Sequence, residues 1–392
     1  MAEKAVIAFL VNGEPAGAMG IRARSFEQRL RDEFDVQLAY RTTNKVRSIW
    51  QFLRFLMRIR PEVCYVFDMS FSGVLAAGLY RLISPCRIVV DTGDAIYELS
   101  KSTGNRSALG LWLTRLLERY ALAISDRVVV RSHPHQELFA RRGILATVVP
   151  DGVDTGQFFP RDEAQLRREI GLHDCIVIGL VGSLVWSPRW QMCYGSELVE
   201  VIDRLRDLPV KGLIVGDGSG MPELQKLCAA RGLEDRVVFA GRLPYDQLPR
   251  YLNAMDICLS TQTNDVAGQV RTTGKLPLYL ACGRFVLASE VGEAARVLPP
   301  EMLVPYQGTK DDQYGARLAD RIHGLLAHPE SIRQSASSVA IANEHFEYGV
   351  LAARVRDTLY GLLANGWHKP SKEEVPVESR SVESSSVPAR RS

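Results

Sequence analysis

The sequence predicts an α/β fold in which two Rossmann-like domains face each other across a cleft. Short, continuous apolar runs alternate with segments of helical periodicity, as expected for parallel strands that are buried on both faces. A glycine-containing loop follows the first strand in each half of the chain. The alternation breaks once, at Pro150-Asp151-Gly152-Val153-Asp154, and then restarts. A chain of 392 residues is long enough for two domains.

Four segments follow from this break. Residues 1–155 are predicted to form the N-terminal Rossmann-like domain and residues 156–345 the C-terminal one. Residues 346–366 are predicted to form a closing helix that returns toward the N-terminal domain. Residues 367–392 are rich in serine and charge and have no aromatic residue after Trp367. Because such a segment buries too little apolar surface to offset its ordering entropy, we expect a disordered tail.

Composition excludes several classes of protein. The hydrophobic share of 46% and the charged share of 24% are ordinary for a soluble globular chain. A net charge of +3 is too small to indicate a nucleic-acid partner. The seven cysteines include no CxxC pair, so we expect neither a disulfide framework nor a metal site. No signal peptide and no apolar run of about 20 residues is found, which favours a cytoplasmic location.

The first half is predicted to contain six strands with helices between them. The predicted strands span residues 5–11, 36–40, 63–67, 87–91, 127–130 and 146–149, and the main helices span residues 21–34, 45–60, 75–83 and 108–124. Gly17 and Gly20 lie in the loop after the first strand, but their spacing does not match a dinucleotide fingerprint. Asp94 follows the fourth strand, where residues of open α/β sheets line a ligand crevice. The alternative role for Asp94 is a helix N-cap.

The helix predicted over residues 45–60 is amphipathic. Its apolar stripe includes Val46, Trp50 and Met57, and Arg47, Arg54 and Arg58 share another face. A helix of this kind can lie on an anionic bilayer, which predicts peripheral attachment at the inner face of a membrane. The alternative is a helix that packs on the sheet and leaves its arginines in water, because some helix must connect these two parallel strands.

The second half repeats the strand and helix pattern. The predicted strands span residues 175–181, 212–215, 237–240, 256–260 and 285–288, and the helices span residues 197–208, 221–231, 248–253, 320–327, 331–345 and 349–363. Glycines follow the first three of these strands, as Gly182, Gly216 and Gly241. The segment 268–289, GQVRTTGKLPLYLACGRFVLAS, is predicted to be a loop, a helix, a turn and a strand. Arg271 and Lys275 lie at the helix entrance, where free N–H groups favour an anion.

Several motifs in this sequence resemble those of glycosyltransferase family 4, the retaining sugar-nucleotide enzymes with the GT-B fold. The turn Pro150-Asp151-Gly152-Val153-Asp154 resembles the family's inter-domain signature, with Asp151 in place of asparagine. Val215-Gly216-Asp217-Gly218 resembles the end of a family strand. Lys275-Leu276 and Tyr279-Leu280-Ala281-Cys282-Gly283 resemble the family's "K..EyLA.G" segment. The resemblance covers most of residues 5–365 and implies a nucleotide-sugar donor with no other cofactor.

The chain also departs from the family pattern. Val270 and Leu278 occupy the positions of two family glutamates that lie over the donor sugar and the ribose. Ser183 and Arg189 occupy the positions of an arginine and a lysine on the donor diphosphate. Arg271 and Lys275 are candidates to supply the missing charge, since an arginine offers a planar fork to phosphate oxygens. The alternative is that both are solvated charges on a loop.

The resemblance implies a glycosyltransferase that moves a sugar from a UDP- or GDP-sugar to a glycan, lipid-linked or small-molecule acceptor, as in polysaccharide biosynthesis. Asp94 is predicted to orient substrate hydroxyls, and Gly17 and Gly20 to form the opposing lip of the cleft. The residues predicted to hold the donor are Gly182, Ser183, Arg189, Gly216, Gly241, Arg271, Thr272, Thr273, Lys275 and Leu278. Loss of both glutamates leaves two alternatives: a non-catalytic binding or scaffold protein and a nucleotide-sugar epimerase. An oxidoreductase fits the glycine spacing least.

Overall fold

The computed structural model describes residues 4–103, 106–333 and 335–364. Within these residues the chain forms two separate six-stranded sheets, and the paired strands of both run parallel. Helices connect successive strands, as parallel pairing requires. The α/β fold with two Rossmann-like domains is therefore confirmed. The tail predicted over residues 367–392 lies outside the described residues.

The N-terminal sheet has the strand order β2-β1-β3-β4-β5-β6. Its strands are β1 (Val6–Val11), β2 (Asp35–Tyr40), β3 (Val63–Val66), β4 (Arg87–Thr92), β5 (Arg127–Val130) and β6 (Ala146–Val148). Its helices are α1 (Ala18–Leu30), α2 (Lys45–Ile59), α3 (Phe71–Arg81), α4 (Ile96–Thr103), α5 (Ala108–Ile124) and α6 (His133–Ala140). The strand order reverses between β1 and β3, so this sheet has the flavodoxin-like arrangement.

The C-terminal sheet has the order β9-β8-β7-β10-β11-β12, the classical dinucleotide-domain order with its reversal between β7 and β10. Its strands are β7 (Ile176–Val181), β8 (Val210–Val215), β9 (Val237–Gly241), β10 (Ile257–Ser260), β11 (Phe285–Ser289) and β12 (Leu303–Val304). The remaining helices are α7 (Ala164–Glu169), α8 (Ser196–Arg204), α9 (Met221–Arg231), α10 (Leu248–Asn253), α11 (Val266–Gln269), α12 (Lys275–Ala281), α13 (Ala294–Val297), α14 (Tyr314–Leu326), α15 (Ser335–His345) and α16 (Tyr348–Ala364).

Most predicted strands begin and end within two residues of the observed ones, whereas several helices differ. Helix α3 begins at Phe71 rather than at residue 75, because the small residues Ser72 and Gly73 are buried by tertiary packing. Helix α14 begins six residues earlier than predicted, since Tyr314 and Gly315 are also buried. Helix α11 and strand β12 were not predicted, because a single turn or two paired residues carry no measurable periodicity. The eight-residue helix α4 was also not predicted.

The last helix completes the N-terminal domain. Tyr348, Leu351 and Val355 of α16 are buried in one cluster with residues of α1 and of the N-terminal sheet. The Tyr348 and Phe26 rings meet edge to face, with centroids 5.7 Å apart. The predicted return of the C-terminal helix is thus confirmed, and packing between distant parts of the chain holds the two domains in one unit. We retain the limits 1–155 and 156–345 as a proposal.

Candidate functional site between the two domains

The carboxyl edges of both sheets point into one cavity of about 530 Å³. From the N-terminal domain it is lined by Asp68, Gly93, Asp94, Arg131 and Asp151. From the C-terminal domain it is lined by Gly182, Ser183, Arg271, Thr272, Thr273 and Lys275, with Leu278 beside them. Acidic side chains therefore face it mainly from one domain and hydroxyl and basic side chains from the other.

The cavity lies where the strand order reverses in each sheet. Ligands of open α/β sheets bind at such points, because the connections on either side run in opposite directions and leave a crevice. In the C-terminal sheet, Ser183 follows β7 and Gln262 follows β10. In the N-terminal sheet, Asn12 follows β1 and Asp68 follows β3, and Asn12 Nδ2 donates a hydrogen bond to Asp68 Oδ2 at 3.1 Å. The topology thus brings two crevices together.

Arg271 and Asp94 are ion-paired across the cleft. Arg271 Nε lies 2.7 Å from Asp94 Oδ1. Hydrogen bonds from Gln262 hold the backbone near Arg271 in place. Gln262 Nε2 donates to the carbonyl oxygens of Gly268 and Arg271 at 3.1 and 3.2 Å. The sequence predicted a place in the cleft for each of these side chains independently. The structure adds that they form an ion pair with each other. Both are partly exposed, so a ligand can reach them.

Lys275 begins α12 and reaches the same cavity. Its ammonium lies 5.6 Å from the centre of the Tyr194 ring. Burial lowers the pKa of Lys275 from 10.5 to about 8, against the opposing effect of the nearby Glu197 carboxylate. Helix α12 has only seven residues. Because so short a helix has a small dipole, we assign the attraction for an anion to the Arg271 and Lys275 side chains rather than to the helix N-terminus predicted from the sequence.

The two threonines of this segment form hydrogen bonds within the protein. Thr272 Oγ1 donates to the carbonyl oxygen of Arg131 in the other domain. Thr273 Oγ1 lies 3.0 Å from Ser260 Oγ. Ser132 Oγ also donates to the carbonyl oxygen of Val270, at 2.7 Å. The Thr272 and Ser132 contacts hold the segment against the N-terminal domain, and the Thr273 contact holds it to β10 of its own sheet. Together they position Arg271 in the cleft.

A buried charge cluster, which the sequence reasoning missed, forms the floor of the N-terminal side. Arg22 Nε lies 3.0 Å from Asp91 Oδ2, and Arg131 Nε lies 3.3 Å from Asp91 Oδ1. Arg131 Nη1 lies 2.6 Å from Asp151 Oδ1. Because the neighbouring carboxylates stabilise its charge, the pKa of Arg131 is raised. The cluster joins α1, β4, the end of β5 and the inter-domain turn into one rigid wall.

Asp68 is the other residue that the sequence reasoning missed. Its backbone is left-handed, with φ 59° and ψ 34°. A non-glycine residue in this region is uncommon, and such strain clusters at functional sites. Burial raises the pKa of Asp68 from 3.8 to about 6, partly offset by Arg131. Its position just beyond a parallel strand is the same signal that singled out Asp94.

Several predicted donor residues lie outside this cavity. Arg189 Nη1 donates to the carbonyl oxygen of Lys101 at 3.1 Å, and its guanidinium lies 5.1 Å from the centre of the Trp190 ring. The loop after β7 thus directs Arg189 to the N-terminal domain, and Arg189 does not line the 530 Å³ cavity. Gly216 and Gly241 do not line the 530 Å³ cavity either.

The three glycines at the strand ends nevertheless form a continuous backbone edge. The Gly182 amide donates to the carbonyl oxygen of Val215 at 3.0 Å, and the Gly216 amide donates to that of Gly241 at 2.8 Å. All three have positive φ, and a Cβ on Gly216 would lie 1.9 Å from the Gly182 carbonyl oxygen. Glycine is therefore required at Gly216 for the strand ends to approach.

The lip of the cleft on the N-terminal side is formed by other residues than the predicted Gly17 and Gly20. Ala18 and Met19, rather than Gly17 and Gly20, line the cavity. Gly17 is the N-cap of α1. A Cβ on Gly20 would lie 2.3 Å from the carbonyl oxygens of Glu14 and Pro15, so this glycine lets the loop pack against the helix. The glycines thus shape the loop that places Met19 at the cleft.

A second, more apolar cavity of about 310 Å³ adjoins the first. It is lined by Leu99 of the N-terminal domain and by Val185, Trp186, Trp190 and Tyr194 of the C-terminal domain. Arg271 and Ser183 line both cavities. An apolar pocket beside a polar cleft suits the less polar part of a bound substrate.

No group of three or more His, Cys, Asp and Glu side chains among residues 4–103, 106–333 and 335–364 is arranged to hold a metal ion. In the same part of the chain, no helix combines the length and the apolar character that a bilayer crossing requires.

The two parallel sheets that face one cleft have the GT-B fold. The solved structure of Anabaena Alr3699/HepE in complex with UDP and glucose superposes with a TM-score of 0.72 at 19% identity, over 91% of this chain and 100% of that one. Residues 175–328 match the family described as "Glycosyl transferases group 1". This match covers most of the C-terminal domain.

Parts of the chain are also similar to curated glycosyltransferases. The chain is 31% identical over 237 residues to the 2-deoxystreptamine glucosyltransferase of Streptomyces kanamyceticus, which covers 58% of this chain and 56% of that protein. It is 26% identical over 208 residues to the phosphatidylinositol N-acetylglucosaminyltransferase GPI3 subunit of Saccharomyces cerevisiae, covering 51% and 43%. The chain thus spans about half the length of these relatives.

Proposed function

We propose that this protein is a glycosyltransferase that moves a sugar from a UDP- or GDP-sugar to a glycan, lipid or small-molecule acceptor, with retention at the anomeric carbon. One observation carries the proposal. Arg271 and Lys275 reach the inter-domain cavity from one side, and Asp68 and Asp94 reach it from the other. Cations suit a departing diphosphate, and carboxylates suit sugar and acceptor hydroxyls. The named relatives, which transfer glucose or N-acetylglucosamine, support the same reaction class.

The difficult step is departure of the nucleoside diphosphate. Negative charge develops on the leaving oxygen while positive charge develops on the sugar ring. Preorganised cations in a partly dry cleft stabilise that charge more than water does. In this assignment Arg271 exchanges Asp94 for a phosphate oxygen, and Lys275 contacts the same diphosphate. The released Asp94 carboxylate then accepts a hydrogen bond from a sugar or acceptor hydroxyl.

The nucleoside is assigned to the glycine edge formed by Gly182, Gly216 and Gly241. A bare backbone lets a planar base or a ribose approach closely. Leu278, which lines the cavity and is nearly buried, offers no acceptor to the ribose hydroxyls. We therefore expect backbone groups, rather than a carboxylate, to contact the ribose. Arg189 can join the donor site only after its loop moves away from Lys101.

The acceptor side and the location complete the proposal. A glycan or lipid-linked acceptor enters from the N-terminal domain, past Met19 and Asp68. The protein works in the cytoplasm, in peripheral contact with the inner face of a membrane through residues 45–60. The exposure of Val46, Trp50 and Met57 on α2 supports this contact.

Thermal stabilisation by UDP-glucose, UDP-N-acetylglucosamine and GDP-mannose, followed by transfer assays with the donor that binds, tests this function. Binding to the folded state raises the melting temperature by mass action. Arg271→Ala and Lys275→Ala should abolish most of the stabilisation and transfer. Lys226→Ala, an exposed lysine of α9 paired with Glu223, is the control. Full transfer in both cleft variants would overturn the assignment.

A second candidate is a non-catalytic binding protein of the same fold. Val270 and Leu278, which replace the family glutamates, are the observation that favours it. Binding of a nucleotide sugar without transfer to any acceptor would support this candidate. Conversion of the donor sugar in the absence of an acceptor would instead show an epimerase.

A further inference from the structure

Helix α5 exposes an apolar stripe to solvent along most of its length. Leu109, Trp112, Leu113, Leu116 and Tyr120 recur at spacings of three or four residues, so they lie on one face. Leu109 is 73% exposed and Trp112 is 60% exposed. Only Thr114 and Ala121 of this 17-residue helix are buried. A monomeric soluble protein seldom leaves so continuous an apolar stripe uncovered.

Arginines flank this stripe. Arg115 and Arg119 are exposed one turn apart along its edge. On α2 the arrangement recurs, since Val46, Trp50 and Met57 form an exposed apolar stripe beside Arg47, Arg54 and Arg58. Among the described residues, none of these five arginines forms an ion pair with a carboxylate. The stripes therefore carry arginine side chains along their edges that are not held in ion pairs within the described part of the chain.

The two stripes belong to one layer of the fold. Helices α2, α3 and α5 all contribute to the cluster that packs against one face of the N-terminal sheet, through residues such as Phe52, Val74 and Ala121. Helix α3 contacts both of the others. Leu79, Leu82 and Ile83 are exposed at its end, and the neighbouring Gly78 lies against the Tyr120 hydroxyl. The exposed apolar residues of α2, α5 and the end of α3 thus form one surface, here named the apolar–arginine face.

We propose that the apolar–arginine face docks on an anionic lipid bilayer, with α5 as its main anchor. Leucine and tryptophan side chains partition into the headgroup and acyl boundary, and arginines along the stripe bind anionic headgroups. Tryptophan and tyrosine prefer this interface. A second copy of the chain is a poorer occupant, because a two-fold contact would bring like-charged arginine rows together. This surface enlarges the contact proposed for residues 45–60, and it does not depend on the transfer reaction.

Co-sedimentation of the full chain with vesicles tests the proposal. Vesicles of phosphatidylcholine alone are compared with vesicles that also contain phosphatidylglycerol. We expect binding to the anionic vesicles that weakens as salt is raised. The double variant Leu113→Glu/Leu116→Glu should weaken binding by about ten-fold or more, since it places carboxylates in the interface. Arg119→Gln should weaken binding by roughly five-fold.

The controls separate this surface from general effects. Val350→Glu adds the same charge to an exposed position of α16, on the opposite side of the sheet, and should leave vesicle binding unchanged. Melting temperatures show that each variant is folded. Equal binding to both kinds of vesicle, or unchanged binding of the α5 double variant, would overturn the proposal. A dimer in sedimentation velocity that the double variant abolishes would assign the face to a second copy instead. Nucleotide binding by every variant reports separately on the cleft.

Discussion

Arg271 and Asp94 form an ion pair of 2.7 Å between the two domains of this protein. Arg271 comes from the segment after β10, and Asp94 follows β4. Each group therefore holds the other in the cleft before a substrate arrives. A diphosphate that binds Arg271 must compete with the Asp94 carboxylate, so the pair links donor binding to the release of an acidic group.

We expect Asp94→Asn to strengthen nucleoside diphosphate binding and to slow sugar transfer. Removing the competing carboxylate frees Arg271, and partly exposed pairs of this kind contribute about 0.2–1 kcal/mol, which predicts a Kd that is lower by a factor of roughly 1.4 to 5. Transfer should fall because the hydroxyl partner is lost. Calorimetric titration with UDP and GDP measures the first effect, and a transfer assay measures the second. Weaker diphosphate binding by this variant would contradict the model, and Glu223→Gln on α9 serves as the control.

Lys275 should make donor binding depend on pH. Its pKa is lowered from 10.5 to about 8 by burial, and an anionic diphosphate prefers the protonated ammonium. The Kd for UDP should therefore be nearly constant below about pH 7 and should rise as pH increases through about 8, by up to about ten-fold per unit. Lys275→Met should bind weakly without this dependence. An unchanged pH profile in Lys275→Met would show that another group titrates.

The same shift predicts the pH dependence of stability. Between about pH 8 and 10.5 the unfolded chain binds a proton at Lys275 that the folded chain has released. The contribution of Lys275 to the free energy of unfolding should therefore increase with pH in this window. Urea unfolding at pH 8 and pH 10, compared between the parent chain and Lys275→Met, isolates this contribution. A contribution that falls with rising pH would contradict the lowered pKa.

Arg22→Met should destabilise the protein by about 3–5 kcal/mol, since removing one member of a buried ion pair leaves a poorly compensated charge. Arg22 is nearly inaccessible, and it also donates to the carbonyl oxygens of Val149 and Pro150. Urea unfolding measures the loss. Arg24→Met on the same helix is the matched control, because Arg24 is partly exposed and donates to the carbonyl oxygen of Pro15 at the surface. Equal effects of the two substitutions would contradict the structural role assigned to the buried cluster.

Gly216→Ala should cost more stability than Gly143→Ala and should also weaken nucleotide binding. Both glycines have positive φ, but a Cβ on Gly143 meets no atom within 4 Å, whereas a Cβ on Gly216 collides with the Gly182 carbonyl oxygen. Gly143→Ala should cost about 1–2 kcal/mol from the left-handed backbone alone. Thermal unfolding and titration with UDP measure the two effects. If Gly216→Ala binds UDP normally, the assignment of the nucleoside to the glycine edge is wrong.

The sequence by itself determined the architecture of this protein. Buried parallel strands are short, continuously apolar and separated by helices. Each strand, such as Ile176–Val181, could therefore be predicted from its own residues. The same reasoning identified Asp94, Arg271 and Lys275, because residues that follow parallel strands gather at one edge of a sheet. It also predicted that α2 is amphipathic, because apolar residues recur at helical spacing within its 15 residues.

Only the tertiary structure decided which of these residues meet and what else surrounds them. The partner of Arg271 lies in another domain, and the cluster of Arg22, Asp91 and Arg131 joins elements far apart in the chain. Arg189, placed in the donor site from its position in the sequence, turns instead to the N-terminal domain. Contacts between distant segments depend on how helices and loops pack, and local sequence patterns carry little information about that packing.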